Sequence, residues 1–258
     1  MDNSGAIAGP LIAFGLLSLF HENFRLIFLL AGIPALLAIF VIIFRIKEAK
    51  KEKRELFTKF HFRDFPARYY FFLVIVFIFT LGNSTDALLM VKANDAGIKV
   101  AFIPVVYLIT NLVSVLASMP VGSLGDRIGK EKVLIAGFIL YAIVYYGFGT
   151  TGRTGILVSL FALYGLYSAA TDGIQKAFIS DMIDSNKKGT GLGIYNALLG
   201  ITLLPASLIA GLMYDRINSS IPFYFGASMA CFAAVLMIIY TLRCKKACVR
   251  LSDQNRHI

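Results

Sequence analysis

Charge is scarce in this chain. Of its 258 residues only 16% are Asp, Glu, Lys or Arg and 58% are hydrophobic, where a soluble domain carries roughly 25% charged residues. The mean hydropathy is +0.75. No soluble fold buries so large an apolar share, and the composition excludes a water-soluble globular domain. Cysteine is nearly as rare: Cys231, Cys244 and Cys248 are odd in number and form no paired framework, which excludes a disulfide scaffold. Cys231 reads as packing within an apolar run, and Cys244 and Cys248 lack histidine partners for a metal. The three histidines, His21, His61 and His257, all fall between or after the apolar runs. No H-E-x-x-H, G-x-S-x-G or P-loop pattern is present; Gly189, Gly191 and Gly193 have the wrong spacing for a phosphate loop and no strand before them. These absences argue against a membrane-embedded enzyme, and no cofactor or metal is expected. Asp2, Asn3 and Ser4 stand where a secretory leader carries basic residues, so the first apolar run does not read as a signal peptide.

What the chain has instead is long apolar runs. A helix crosses a bilayer with about 20 mostly apolar residues. Such segments lie at about 26–44, 69–90, 101–121, 133–150, 155–179, 191–213 and 222–242, with a shorter one at about 5–20. The expected fold is an all-α polytopic membrane bundle of eight spans, or seven and a shortened one.

The formal net charge of +10 suggests nucleic acid until its distribution is considered. With the connection near residue 126 placed in the cytoplasm, 19 of the 25 Lys and Arg fall on that side and five on the other. An excess of this kind is the positive-inside signature. It predicts a multi-pass protein of the cell membrane with a cytoplasmic C-terminus, and no nucleic-acid partner.

One connection is long. Residues 45–68 are strongly charged, read as partly helical, and end where Pro66 introduces the next span. They separate two spans from the six that follow. A weak parallel repeat supports this division, since Pro10 precedes the basic span end at Arg45 much as Pro205 precedes Arg243. Parallel repeats are one of the builds of secondary transporters.

The segment 122–134, GSLGDRIGKEKVL, narrows the function most. It reads as a turn carrying Asp126, Arg127, Lys130, Glu131 and Lys132, with Gly122, Gly125 and Gly129 at close intervals, between runs almost free of charge. Glycines let helix ends approach, and a carboxylate beside guanidinium and ammonium groups makes charge-assisted contacts. Such contacts can hold one rigid bundle against another and release it, although the same residues can also simply cap a turn.

With Gly122, Leu124, Gly125, Asp126, Arg127, Gly129, Lys130 and Leu134 in this order, the chain resembles the later part of a major facilitator superfamily transporter. It departs from the family pattern at Glu131, where a second basic residue is usual. The resemblance implies two six-span bundles joined by a long cytoplasmic loop, with this motif as the copy between the eighth and ninth spans. On that reading residues 1–44 are the last two spans of the first bundle, 45–68 the loop, 69–243 the second bundle and 244–258 a cytoplasmic tail, with about four earlier spans missing. The implied activity is secondary transport of a small molecule by alternating access; proton antiport is the narrower expectation. A non-transporting membrane remnant is the competing one.

Gly5, Gly9 and Pro10 resemble the start of a signature that family exporters carry in the fifth span, but Ala13 and Phe14 replace its paired glycines. Small-xxx-small spacing alone also serves helix packing in lipid.

Polar residues inside spans are candidates for substrate or proton binding. Asn83, Ser84, Thr85 and Asp86 lie in the 69–90 run, and Tyr164, Asp172, Gln175 and Lys176 in the 155–179 run. Ser168, Asp172 and Lys176 are spaced i, i+4, i+8 and share one helical face, so a polar stripe there faces a cavity. Asp172 and Lys176 either neutralise each other or leave Asp172 as a proton-coupling carboxylate. Asn111 and Asn196 are candidates for substrate or interhelical hydrogen bonds. Tyr107, Tyr141 and Tyr145 read as packing or interface aromatics.

Overall fold

The computed structural model describes residues 2–20, 24–45, 65–83 and 86–254. Most of the 45–68 connection, Ser84 and Thr85 lie outside the described residues, as do the side chains of Cys244 and Cys248.

The described residues are helical almost throughout, and none is in a strand. Hydrocarbon offers no hydrogen-bond partner, so a spanning backbone must satisfy itself along the helix. The helices are α1 (Asp2–Leu19), α2 (Phe24–Arg45), α3 (Ala67–Gly82), α4 (Ala87–Asp95), α5 (Ile103–Ile128), α6 (Lys130–Thr150), α7 (Thr154–Met182), α8 (Lys188–Arg216) and α9 (Ile221–Gln254), with a 3₁₀ turn at Val100–Phe102. Among the described residues six segments are long and apolar enough to cross a membrane: Ala67–Asp95, which takes in α3 and α4, then α5, α6, α7, α8, and α9 as far as Arg243. Shorter apolar stretches, Ala8–Leu19 and Arg25–Val41, lie in α1 and α2.

Two expectations are corrected. The 122–134 segment is not a turn: α5 continues through Ile128 and α6 starts at Lys130, leaving Gly129 alone between them. A charged side chain at a membrane interface is solvated without any need for the helix to stop. Gly129 has φ +100° and ψ 133°, a conformation that side chains with a Cβ rarely adopt, so glycine makes the one-residue joint possible. The 69–90 run is likewise not one helix, because α3 ends at Gly82 and α4 begins at Ala87.

The core lies between α3, α6, α7 and α9. Phe79 stacks on Phe138 with ring centroids 4.5 Å apart, Tyr141 on Tyr145 at 4.0 Å, and Phe148 meets Phe161 edge-on at 5.1 Å. Such pairs add about 0.5–1.5 kcal/mol each beyond area burial. α3 and α9 touch backbone to backbone at Gly82 and Gly226: a Cβ on Gly226 would lie 2.6 Å from the Gly82 carbonyl oxygen. At the other end of α3, Tyr69 donates to the Gly191 carbonyl, 2.8 Å, tying α3 to α8.

α5 packs on α7, and α1 packs on α5 and on the 3₁₀ turn before it, where Phe14 tilts against Phe102 at 5.7 Å. The contact does not use the small residues singled out in the sequence. Gly5 and Gly9 are exposed, and a Cβ on either would meet nothing within 4 Å.

Candidate functional site

Two polar regions interrupt the apolar bundle, and α7 borders both.

The first is the break between α3 and α4. At Asn83, φ −90° and ψ 80° turn the chain out of the helix, which strips the last carbonyls of α3 of their usual partners. Side chains replace them. Tyr141 of α6 donates to the Gly82 carbonyl (3.1 Å) and reaches Asn83 Oδ1 (3.3 Å), while Asn83 Nδ2 donates to the Tyr167 hydroxyl of α7 (3.2 Å). Asp86 stands at the start of α4, where the helix dipole favours an anion. Its Oδ2 accepts from Tyr107 of α5 at 2.9 Å and its Oδ1 from Tyr164 of α7 at 2.8 Å. Three helices, α5, α6 and α7, are thus pinned at one broken segment through hydroxyls donated to a carboxylate and a terminal carbonyl. Tyr107 and Tyr141, expected to be packing or interface aromatics, are hydrogen-bonding members of this cluster. The sequence gives no hint of it, since their acceptors lie 21 and 59 positions away.

The second region is a cavity of about 600 Å³ between α5 and α7. Ser114, Ser118, Gly122 and Asp126 line it from α5, and Ser168, Asp172 and Lys176 from α7. Both sets repeat every four residues, so each forms a stripe along its helix. The stripe expected on α7 therefore faces a cavity. Ser114 donates to Ser168 (3.3 Å), and Ser168 donates to Asp172 Oδ2 (2.6 Å). Asp172 and Lys176 do not pair with each other, whereas Lys130 pairs with Asp181 at 2.6 Å. One helical turn separates them, and the Asp172 carboxylate is turned toward Ser168 instead.

The 122–134 segment ends this cavity. Its ionic contact differs from the one expected, because Lys130, not Asp126 or Arg127, is paired, and it joins the start of α6 to the end of α7 through Asp181. Asp126 and Arg127 are exposed. Both lie on the last turn of α5, where Asp126 also borders the cavity. Gly125 is buried, and a Cβ there would come 3.2 Å from Ile174 Cδ1, so this glycine seats α5 on α7. Leu124 is 46% exposed. A second cavity of about 380 Å³ lies beside Lys130 and Asp181, with Arg68 and Glu131 on its wall.

The remaining candidates are placed elsewhere. Gln175 is buried and accepts from Tyr195 of α8 at 2.7 Å, an interhelical bond. Asn196 is exposed and Asn111 half-buried, and neither has a hydrogen bond among the described side chains. Of the predicted site residues, Asn83, Asp86 and Tyr164 come together in one cluster, while Asp172 and Lys176 line the cavity.

Comparison with known proteins bears on both regions. A family model described as Major Facilitator Superfamily matches residues 71–251. The chain is 30% identical over 243 residues to an uncharacterised MFS-type transporter of Methanocaldococcus jannaschii, covering 92% of this chain and 61% of that protein. It is 27% identical over 157 residues to multidrug resistance protein 1 of Bacillus subtilis, covering 60% of this chain and 39% of the relative. With the quinolone resistance protein NorA of Staphylococcus aureus it shares 22% identity over 118 residues, 46% of this chain and 30% of that protein.

Proposed function

Because the chain belongs to the major facilitator superfamily and is a multi-pass membrane protein, we propose that it serves secondary active transport of a small molecule by alternating access, with protons as the coupling ion and export as the direction. The observation that carries this reading is the polar cavity between α5 and α7, whose serine, aspartate and lysine stripes have no purpose against lipid. Intramembrane ionisable groups are costly and mark transport pathways. The names of the Bacillus and Staphylococcus relatives, which refer to multidrug and quinolone resistance, favour export.

In this reading residues 69–243 form one six-span bundle, residues 1–44 contribute two spans of the other, 45–68 link them in the cytoplasm and 244–258 form a cytoplasmic tail of a cell-membrane protein. The 19-to-5 division of basic residues supports that orientation. Gly122, Leu124, Asp126, Arg127, Gly129 and Lys130 form the gate-side segment, with the Lys130–Asp181 pair as the contact made in one access state. Asp172, with one oxygen held by Ser168, is the stronger coupling carboxylate, and Asp86 the weaker, since both of its oxygens are engaged.

Proteoliposomes holding the protein test this directly. A proton gradient should drive uptake of a compound from a candidate panel, and Asp172→Asn with Asp86→Asn should remove the gradient dependence. Unchanged gradient-driven flux in the double variant would refute the coupling assignment.

A second reading, a polypeptide that inserts without moving anything, is favoured by the uncovered sides of two helices: only 11% of the apolar window of α5 and 17% of that of α8 are buried. The chain spans 61% of the length of its M. jannaschii relative. Absence of flux for every compound with the chain alone would favour this reading.

A further inference from the structure

We infer that the α5–α7 cavity is a zwitterion site, with Asp172 taking an ammonium group and Lys176 taking a carboxylate or another anionic group of the same molecule. The inference rests on the transport reading of this cavity and names its substrate class.

Three observations carry it. Asp172 and Lys176 line one cavity with opposite charges, one turn apart on one helix face, about 5.4 Å along the axis. They do not form an ion pair with each other or with any other described residue. Neighbours of opposite charge at i, i+4 ordinarily pair, and here Asp172 is held away by Ser168, which donates to its Oδ2 at 2.6 Å and is itself approached by Ser114 at 3.3 Å. The serine relay fixes the carboxylate while leaving the three N–H donors of Lys176 without a carboxylate. An anionic and a cationic subsite therefore stand side by side in about 600 Å³, within the usual range for small-molecule pockets. A ligand with one charge would meet its match at one residue and a like charge at the other. A ligand with both, separated by about one helical turn, meets two. Lys130, the other cation on the cavity wall, is already taken by Asp181.

An experiment with the full chain in nanodiscs uses ω-amino acids, 4-aminobutyrate through 6-aminohexanoate, beside hexylamine and hexanoate as single-charge controls. A ligand bound only by the folded state raises its apparent unfolding temperature. The zwitterions should raise it in a concentration-dependent way, and the two controls should not. Asp172→Asn and Lys176→Gln should each weaken zwitterion binding about tenfold or more while leaving the ligand-free unfolding temperature within the scatter of the wild type. The exchange Asp172→Lys with Lys176→Asp should restore binding. Equal stabilisation by hexylamine would make this a plain cation site and overturn the inference, as would stabilisation by hexanoate alone or by no compound of the series. Gradient-driven flux of hexylamine without zwitterion binding would overturn the site assignment and leave transport standing. Zwitterion binding without any flux would do the reverse.

Discussion

Asp86 and Asp172 are both carboxylates within apolar spans, yet the chain treats them differently. Asp86 sits at a helix break and accepts a hydroxyl on each oxygen, from two different helices. Asp172 is in the middle of a continuous helix, accepts from a serine of that same helix and lines a cavity. A carboxylate satisfied by neighbouring elements holds them in place; one satisfied only by its own helix, next to open space, ties no second element to it. The same residue type thus ties helices together in one place and borders open space in the other.

The largest expected effect tests the first half of that contrast. Asp86→Ala strands the Tyr107 and Tyr164 hydroxyls and should cost about 2–4 kcal/mol of stability, seen as a markedly lower unfolding temperature in detergent, while Asp172→Ala should cost less than about 1 kcal/mol. Equal losses at both sites would erase the distinction. Next comes Gly226→Val, which forces side-chain atoms against the Gly82 carbonyl and should cost about 1–3 kcal/mol; retention of wild-type stability would show that α3 and α9 do not meet so closely. Gly129→Ala strains the joint between α5 and α6 and should cost about 1–2 kcal/mol, measurable by the same assay. Smallest is Lys130→Gln. Its ion pair with Asp181 is partly exposed, the side chains being 20% and 58% accessible, so stability should change by no more than about 1 kcal/mol. The rate of exchange between access states, followed by spectroscopic labels at the two ends of the bundle, should nevertheless rise.

Much of the fold was legible because hydrocarbon imposes a simple rule on composition. Apolar runs of sufficient length become helices, and six of them are long enough to cross. The Ser168–Asp172–Lys176 stripe was legible for a related reason, since residues on one helix face follow from spacing alone. The break at Asn83 was missed because a hydropathy reading averages over a few polar positions. Asn, Ser, Thr and Asp in succession compete with helical backbone bonds through their own side chains, and that run was the available signal. The roles of Tyr107 and Tyr141 were not legible at all. An isolated tyrosine in a span is equally suited to packing or to donating, and only the assembled helices bring Asp86 and the Gly82 carbonyl within reach. The 122–134 segment was misjudged for an electrostatic reason: clustered charge marks where the bilayer ends, not where the helix does.

The single residue between α5 and α6 has a mechanical corollary. With no slack between Ile128 and Lys130, the two helices form a hairpin that cannot lengthen at its bend. Any push delivered to Asp181 through Lys130 reaches α5 at once, where Gly125 rests against Ile174. On the alternating-access reading, displacement at the rim of the bundle travels along α5 to the wall that carries Ser114 and Ser118, as a lever moves its far arm when the near one is pressed.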